Sequence, residues 1–100
     1  MKSIISDLNK AFDHKVRLGI MSVLIARDDA DFNTLKEILQ VTDGNLASHV
    51  KALEKENYIE VFKQFIDRKP NTRYLATAEG KNAFKKHLDA LELLISNSNQ

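Results

Sequence analysis

Gly44, Asn45, Ser48, Lys51 and Lys55 are the residues whose types and spacing could do recognition chemistry. On a helix advancing about 100° per residue, Leu46, Val50 and Leu53 turn inward. Gly44, Ser48, Lys51 and Lys55 then fall on the opposite side, with Asn45 and Ala52 on its flank. An Asn amide can read adenine through two hydrogen bonds, a Ser hydroxyl donates or accepts, and a Lys reaches a phosphate or a guanine. Gly44 and Asn45 open the helix, where a phosphate or base edge can come close. Such a side could equally be an ordinary solvated helix face. His49 lies beside the apolar stripe and suits a structural hydrogen bond or a phosphate contact better than base reading.

Other chemistries lack their residues. The chain has no cysteine, so thiolate metal sites, cysteine nucleophiles and disulfides are absent, which fits a reducing cytosol and a cytoplasmic protein. His14, His49 and His87 are isolated in sequence and share no metal-ligand spacing. No phosphate-cradling Gly loop and no nucleophile–base pair stands out. No metal, cofactor or enzymatic activity is expected. At 100 residues, 43% hydrophobic and 29% charged, the chain suits one globular domain spanning 1–100 and leaves little room for an enclosed substrate pocket. No run approaches the roughly 20 apolar residues of a membrane span. Asp7 and Lys10 interrupt the N-terminal apolar residues, so no secretion signal is expected.

The net charge of +1 hides an asymmetry. Residues 63–86 hold seven Lys/Arg (Lys63, Arg68, Lys69, Arg73, Lys81, Lys85, Lys86) against Asp67 and Glu79, while both flanks are net acidic. A basic block of this kind either serves an anionic partner or is simply a solvated surface.

Periodicity places these residues on elements. Ile4, Ile5, Leu8 and Phe12 predict a short amphipathic helix over 4–12. Residues 14–27 are apolar on most sides, as a central buried helix would be. Asp28-Asp29 reads as a solvated loop, and Asp31 as the cap of a helix striped by Phe32, Leu35, Ile38 and Leu39. After a tight turn, Thr42 caps the helix over about 43–56, Asp43 sits at its positive end, and Asn57 suits a left-handed stop. Residues 58–66 are aromatic and β-branched, a strand. Arg68-Lys69-Pro70-Asn71 reads as a turn, Pro being suited to a turn's second position, and Thr72–Ala76 as the returning strand. Thr77 caps a last helix over about 78–96, striped by Phe84, Leu88, Leu91 and Ile95.

The order is helix, helix, helix, tight turn, helix, hairpin, helix. This mainly α fold with a small β-hairpin is a winged helix-turn-helix. Phe32-x-x-Leu35, the turn Leu39-Gln40-Val41-Thr42-Asp43-Gly44-Asn45-Leu46, the run from Ser48-His49-Val50 through Asn57-Tyr58-Ile59, and Thr77-Ala78-Glu79-Gly80 carry a resemblance. Over roughly residues 12–95 the chain resembles winged-helix regulators of the MarR/ArsR kind, most of all the small single-domain ones. Asn57 stands where relatives usually have Gly, and Ala76 where they usually have Leu. The metal-sensing branch is not supported.

The resemblance implies a sequence-specific DNA-binding transcriptional regulator acting as a homodimer on double-stranded, palindromic DNA. Helix 43–56 would enter the major groove, bringing Thr42, Gly44, Asn45, Ser48, His49, Lys51 and Lys55 to the duplex. The wing over about 66–73, with Arg68, Lys69 and Arg73 and with Lys63 on the ascending strand, would meet the minor groove or the backbone. Thr34 is a weaker phosphate candidate. In resembling proteins the terminal helices form a two-fold seam; here residues 1–12 and 78–96 would supply Ile4, Leu8, Phe12, Phe84, Leu88, Leu91 and Ile95, packed within or between chains. The alternative is a winged-helix module that binds protein and no DNA. Such modules often lack basic residues at the wing tip.

Overall fold

The computed structural model describes residues 4–98. Two short 3-10 turns, Ile4–Asp7 and Lys10–Phe12, precede α1 (Lys15–Ala26), β1 (Ala30–Asp31), α2 (Phe32–Leu39) and α3 (Asp43–Lys55). The hairpin β2 (Ile59–Ile66) and β3 (Lys69–Ala76) and the long α4 (Ala78–Ser98) complete the chain. The antiparallel sheet runs in the order β1-β3-β2.

Local hydrogen bonds set the helix starts. Asp31 Oδ1 accepts from Thr34 N at 2.8 Å, Thr42 Oγ1 from Asn45 N at 3.2 Å, and Thr77 Oγ1 from Gly80 N at 2.8 Å. Each satisfies an amide that the first turn leaves without a partner. The α3 exit is a Schellman motif: Tyr58 N donates to Leu53 O and Asn57 N to Glu54 O, with Asn57 at φ 63°. Asn57 offsets its left-handed backbone with a side-chain hydrogen bond of 2.8 Å to Glu79 Oε2.

The core lies between α1, α2, α3 and the inner sheet face. Ile20, Met21, Leu24, Leu35, Leu46, Leu53 and Ile59 are fully buried there. Ile20, Met21 and Leu24 confirm α1 as the central helix.

Three expectations are corrected. The helix over 4–12 is broken, because Asn9 satisfies non-local partners instead of a helical ladder. Its N–H donates to His87 Nδ1 at 3.0 Å and its Nδ2 to the Tyr58 hydroxyl at 2.9 Å, while Oδ1 accepts from Ala11 N. The hairpin turn is Asp67-Arg68, both left-handed at φ 51° and 68°, as a two-residue hairpin connection requires. Ile66 pairs with Lys69, so Pro70 lies inside β3 opposite Phe65. The pair next to the turn-closing one is non-hydrogen-bonded, so the Pro70 nitrogen faces away from β2, where β1 does not reach. Finally, β1 was not expected: Ala30 and Asp31 pair with Tyr74 and Arg73.

Gly80 fixes how α4 meets the rest of the fold. A Cβ there would stand 2.1 Å from Tyr58 O and 2.8 Å from its carbonyl carbon. Because the obstacle is backbone, Gly80→Ala is expected to lower unfolding free energy by about 3 kcal/mol, measurable by urea titration. Gly44→Ala, with nothing within 4 Å of its Cβ, should leave the urea midpoint nearly unchanged or higher.

Candidate nucleic-acid interface

The outer side of α3 follows from its inner one. Leu46, Val50 and Leu53 are buried, and Gly44, Asn45, Ser48, Lys51 and Lys55 are exposed on the other side. Thr42 is exposed, its oxygen occupied by the cap while its hydroxyl hydrogen remains free to donate. Lys36 on α2 reaches Asp43 Oδ1 at 2.7 Å and ties the two helices of the pair together. No intramolecular packing requires glycine at 44, since its Cβ direction is open. Beside this end of α3, a groove of about 580 Å³ runs between His14, Lys15 and Val16 and the turn residues Leu39–Thr42.

His49 is half-buried and bound by the chain's own residues. Its Nδ1 accepts from Arg17 Nε at 3.1 Å, and its ring lies 4.0 Å from that of His14. His14 in turn caps α1 by accepting from Val16 N at 3.1 Å. Burial pushes the His49 pKa below the usual imidazole value, and the neighbouring His14 and Arg17 act in the same direction. Its first role is therefore to hold α1 against α3, which agrees with its place beside the apolar stripe.

The wing cations divide. Lys63, Arg68 and Lys69 are exposed and form no ion pair with any described acid. Arg73 does the opposite. Its Nη2 meets Asp29 Oδ1 at 2.6 Å and its Nε meets Asp29 Oδ2 at 3.2 Å, a two-pronged pair, with Asp31 Oδ2 at 3.8 Å. The hydrogen bond from Arg73 lowers the Asp29 pKa, and the same bond raises that of Arg73. Arg73 is thus a wing-root anchor, its charge matched within the chain, and not a free groove contact. Asp29 is the half-buried partner of that anchor, not a purely solvated loop residue. Sequence reading missed this because the two lie 44 positions apart. Thr34 is half-buried on α2, its amide bound to Asp31.

The expected dimer residues divide too. Phe12 and Phe84 are buried in the chain's own core, 5.2 Å apart edge to face, with Tyr58 and His87 packed on Phe12. They fill this core before any partner arrives, which corrects their placement in a seam between chains. Leu8 is half-buried, and the side chain of Ile4 lies outside the described residues. Leu88, Leu91 and Ile95 are exposed on α4, as is Leu93. Among the described residues no group of His, Asp and Glu could hold a metal ion, and no helix is long and apolar enough to cross a membrane.

A helix-turn-helix with an exposed polar face and a hairpin with free cations at its tip define a winged helix-turn-helix protein. The chain belongs to the winged helix DNA-binding domain family, which it matches over residues 16–95. It is 38% identical over 79 residues to an uncharacterized protein of Methanocaldococcus jannaschii, covering 79% of this chain and 86% of that one. A transcriptional regulator homologue protein from Pyrococcus horikoshii has a similar structure, at 30% identity and TM-score 0.80, covering 95% of this chain and 99% of that one. A MarR-family transcriptional regulator from Silicibacter pomeroyi shares the fold at 13% identity and TM-score 0.68, covering 97% of this chain and 64% of that one.

Two outcomes test this geometry. Arg68→Ala with Lys69→Ala should flatten the log–log salt dependence of duplex binding by about 0.9 per lost phosphate contact. Arg73→Ala should weaken binding yet leave that slope nearly unchanged, because its charge is already engaged by Asp29. Fluorescence anisotropy titrations at several salt concentrations separate the two. For His49 the folded pKa lies below the unfolded value of 6.5. The unfolded chain therefore takes up the proton first, and stability is lost as pH falls below about 6.5 until the lower folded pKa is passed. The thermal midpoint should drop between pH 7 and pH 5, and His49→Gln should reduce that drop.

Proposed function

We propose that the protein is a sequence-specific DNA-binding transcriptional regulator that acts as a homodimer. The observation that carries this reading is the exposed face of α3. Gly44, Asn45, Ser48 and Lys51 present an open backbone, an amide, a hydroxyl and a cation on a helix whose other side is sealed into the core. That set suits base edges and phosphates in a major groove. Lys63, Arg68 and Lys69 on the wing would meet the adjacent minor groove or backbone. Membership of the winged helix DNA-binding domain family supports the reading, as does the similarity to the Pyrococcus horikoshii protein, a transcriptional regulator homologue.

The homodimer rests on α4. Leu88, Leu91 and Ile95 are between 37% and 62% exposed along one stripe of the helix, an apolar surface of the kind that marks an interaction site. A two-fold seam there would set two α3 helices about 34 Å apart, one turn of B-DNA. Selection of bound sequences from a random duplex pool tests both levels. A palindromic consensus is expected, and failure to enrich any sequence would overturn base reading. Leu91→Glu should sediment as a folded monomer and bind one half-site weakly, since the seam would bury an unpaired carboxylate. An unmodified protein that sediments as a monomer at micromolar concentration, with no symmetric consensus, would refute the dimer.

A further inference from the structure

The wing tip carries more than charge. Phe65 is 76% exposed, the most exposed large apolar side chain among the described residues, and the neighbouring Ile66 is 46% exposed. Phe65 stands opposite Pro70 in the β2–β3 ladder, so both lie on one face, with Lys63 two positions back on the same strand. Ile66, Asp67, Arg68 and Lys69 close the end of the hairpin. An aromatic ring, an aliphatic side chain and a proline are therefore gathered at the end of a ribbon.

The surrounding charge indicates what this end would meet. Lys63, Arg68 and Lys69 are exposed with no acid paired to them among the described residues, and Asp67 is the acid at the turn. Two copies of such a tip would repel one another. An apolar wedge ringed by free cations matches a surface with anionic edges and apolar walls. The minor groove of duplex DNA has phosphates on both rims and sugars along its walls, and a side chain inserted at an unstacked base step reaches the base faces. The tip is also held firmly from below. Arg73 grips Asp29, and Asn71 Nδ2 donates to Asp31 Oδ2 at 3.3 Å.

We infer that Phe65 is an apolar wedge that enters the minor groove at the outer end of each half-site, while Lys63, Arg68 and Lys69 hold the flanking phosphates. This rests on the DNA-binding reading of α3 and deepens it. The wedge would favour duplexes whose base steps unstack easily, pyrimidine–purine steps above all, at positions α3 does not touch.

The test compares the unmodified protein, Phe65→Ala, and Phe65→Trp on a duplex taken from the random-pool selection. Phe65 is exposed and packs on nothing essential, so both variants should keep the unmodified thermal midpoint. Phe65→Ala should bind about tenfold more weakly, the scale of a lost base–aromatic contact. Its salt slope should not change, because a phenyl ring releases no counterions. The chain has no tryptophan, so Phe65→Trp places a single fluorophore at the tip, and its emission should be quenched when the duplex binds. Unchanged affinity of Phe65→Ala, or unchanged Trp emission in a complex shown to form by anisotropy, overturns the wedge and leaves the regulator reading standing. Failure of the unmodified protein to bind any duplex overturns both.

Discussion

The carbonyl of Tyr58 is the point on which the rest of the molecule depends. It accepts a hydrogen bond from Thr77 N at 3.0 Å, and the missing side chain of Gly80 lets α4 settle against it. The same residue follows the Schellman end of α3, lies one position before β2, packs its ring 5.5 Å from Phe12, and takes a hydrogen bond from Asn9 on its hydroxyl. Reading helix, wing, long terminal helix and N-terminal segment thus meet around one residue. Thr77 strengthens the junction by donating its hydroxyl to Asn57 O while accepting from Gly80 N. Four chain segments share these few bonds, which couple their mutual orientations at one junction.

Charge is sorted by the fold more finely than by the sequence. The basic block over residues 63–86 resolves into two populations. Arg73 is matched by Asp29, Lys85 by Asp89 at 2.9 Å, and Lys86 stands 3.8 Å from Asp7. Lys63, Arg68 and Lys69 remain open at the wing, and Lys81 is exposed on α4 with no described acid paired to it. Three of the four unmatched cations of this 24-residue stretch are therefore gathered on one hairpin, where field strength and reach both favour a polyanion.

What could be read from the sequence was local. Asp31, Thr42 and Thr77 cap helices because a side-chain oxygen reaches an amide two or three residues on, and that geometry needs nothing distant. Asn is a residue type that tolerates a left-handed backbone, although the bond from Asn57 to Glu79, 22 positions on, is not legible locally. The exposed side of α3 follows from helical period alone. The failures share the opposite cause. The N-terminal helix gave way to bonds from Asn9 to residues 49 and 78 positions away. Phe12 and Phe84 looked like seam residues by spacing, yet they are buried against each other. Arg73 looked like a groove cation by position, yet Asp29 holds it. The turn differs because Pro70 suggests a corner, while the actual corner uses Asp67, a type that tolerates the left-handed region, followed by Arg68, a type that does not announce it.

Asp31 serves three elements at once: it caps α2, accepts from Asn71 and stands near Arg73, while its backbone belongs to β1. The helix that carries the turn before α3 and the hairpin that carries the wing are therefore fastened by the same short carboxylate. Such a joint leaves no independent hinge between them. A rigid caliper of this kind has one jaw spacing, so a surface gripped by both jaws must itself supply the matching contour. Any misfit is then absorbed by the compliance of the surface and not by the protein.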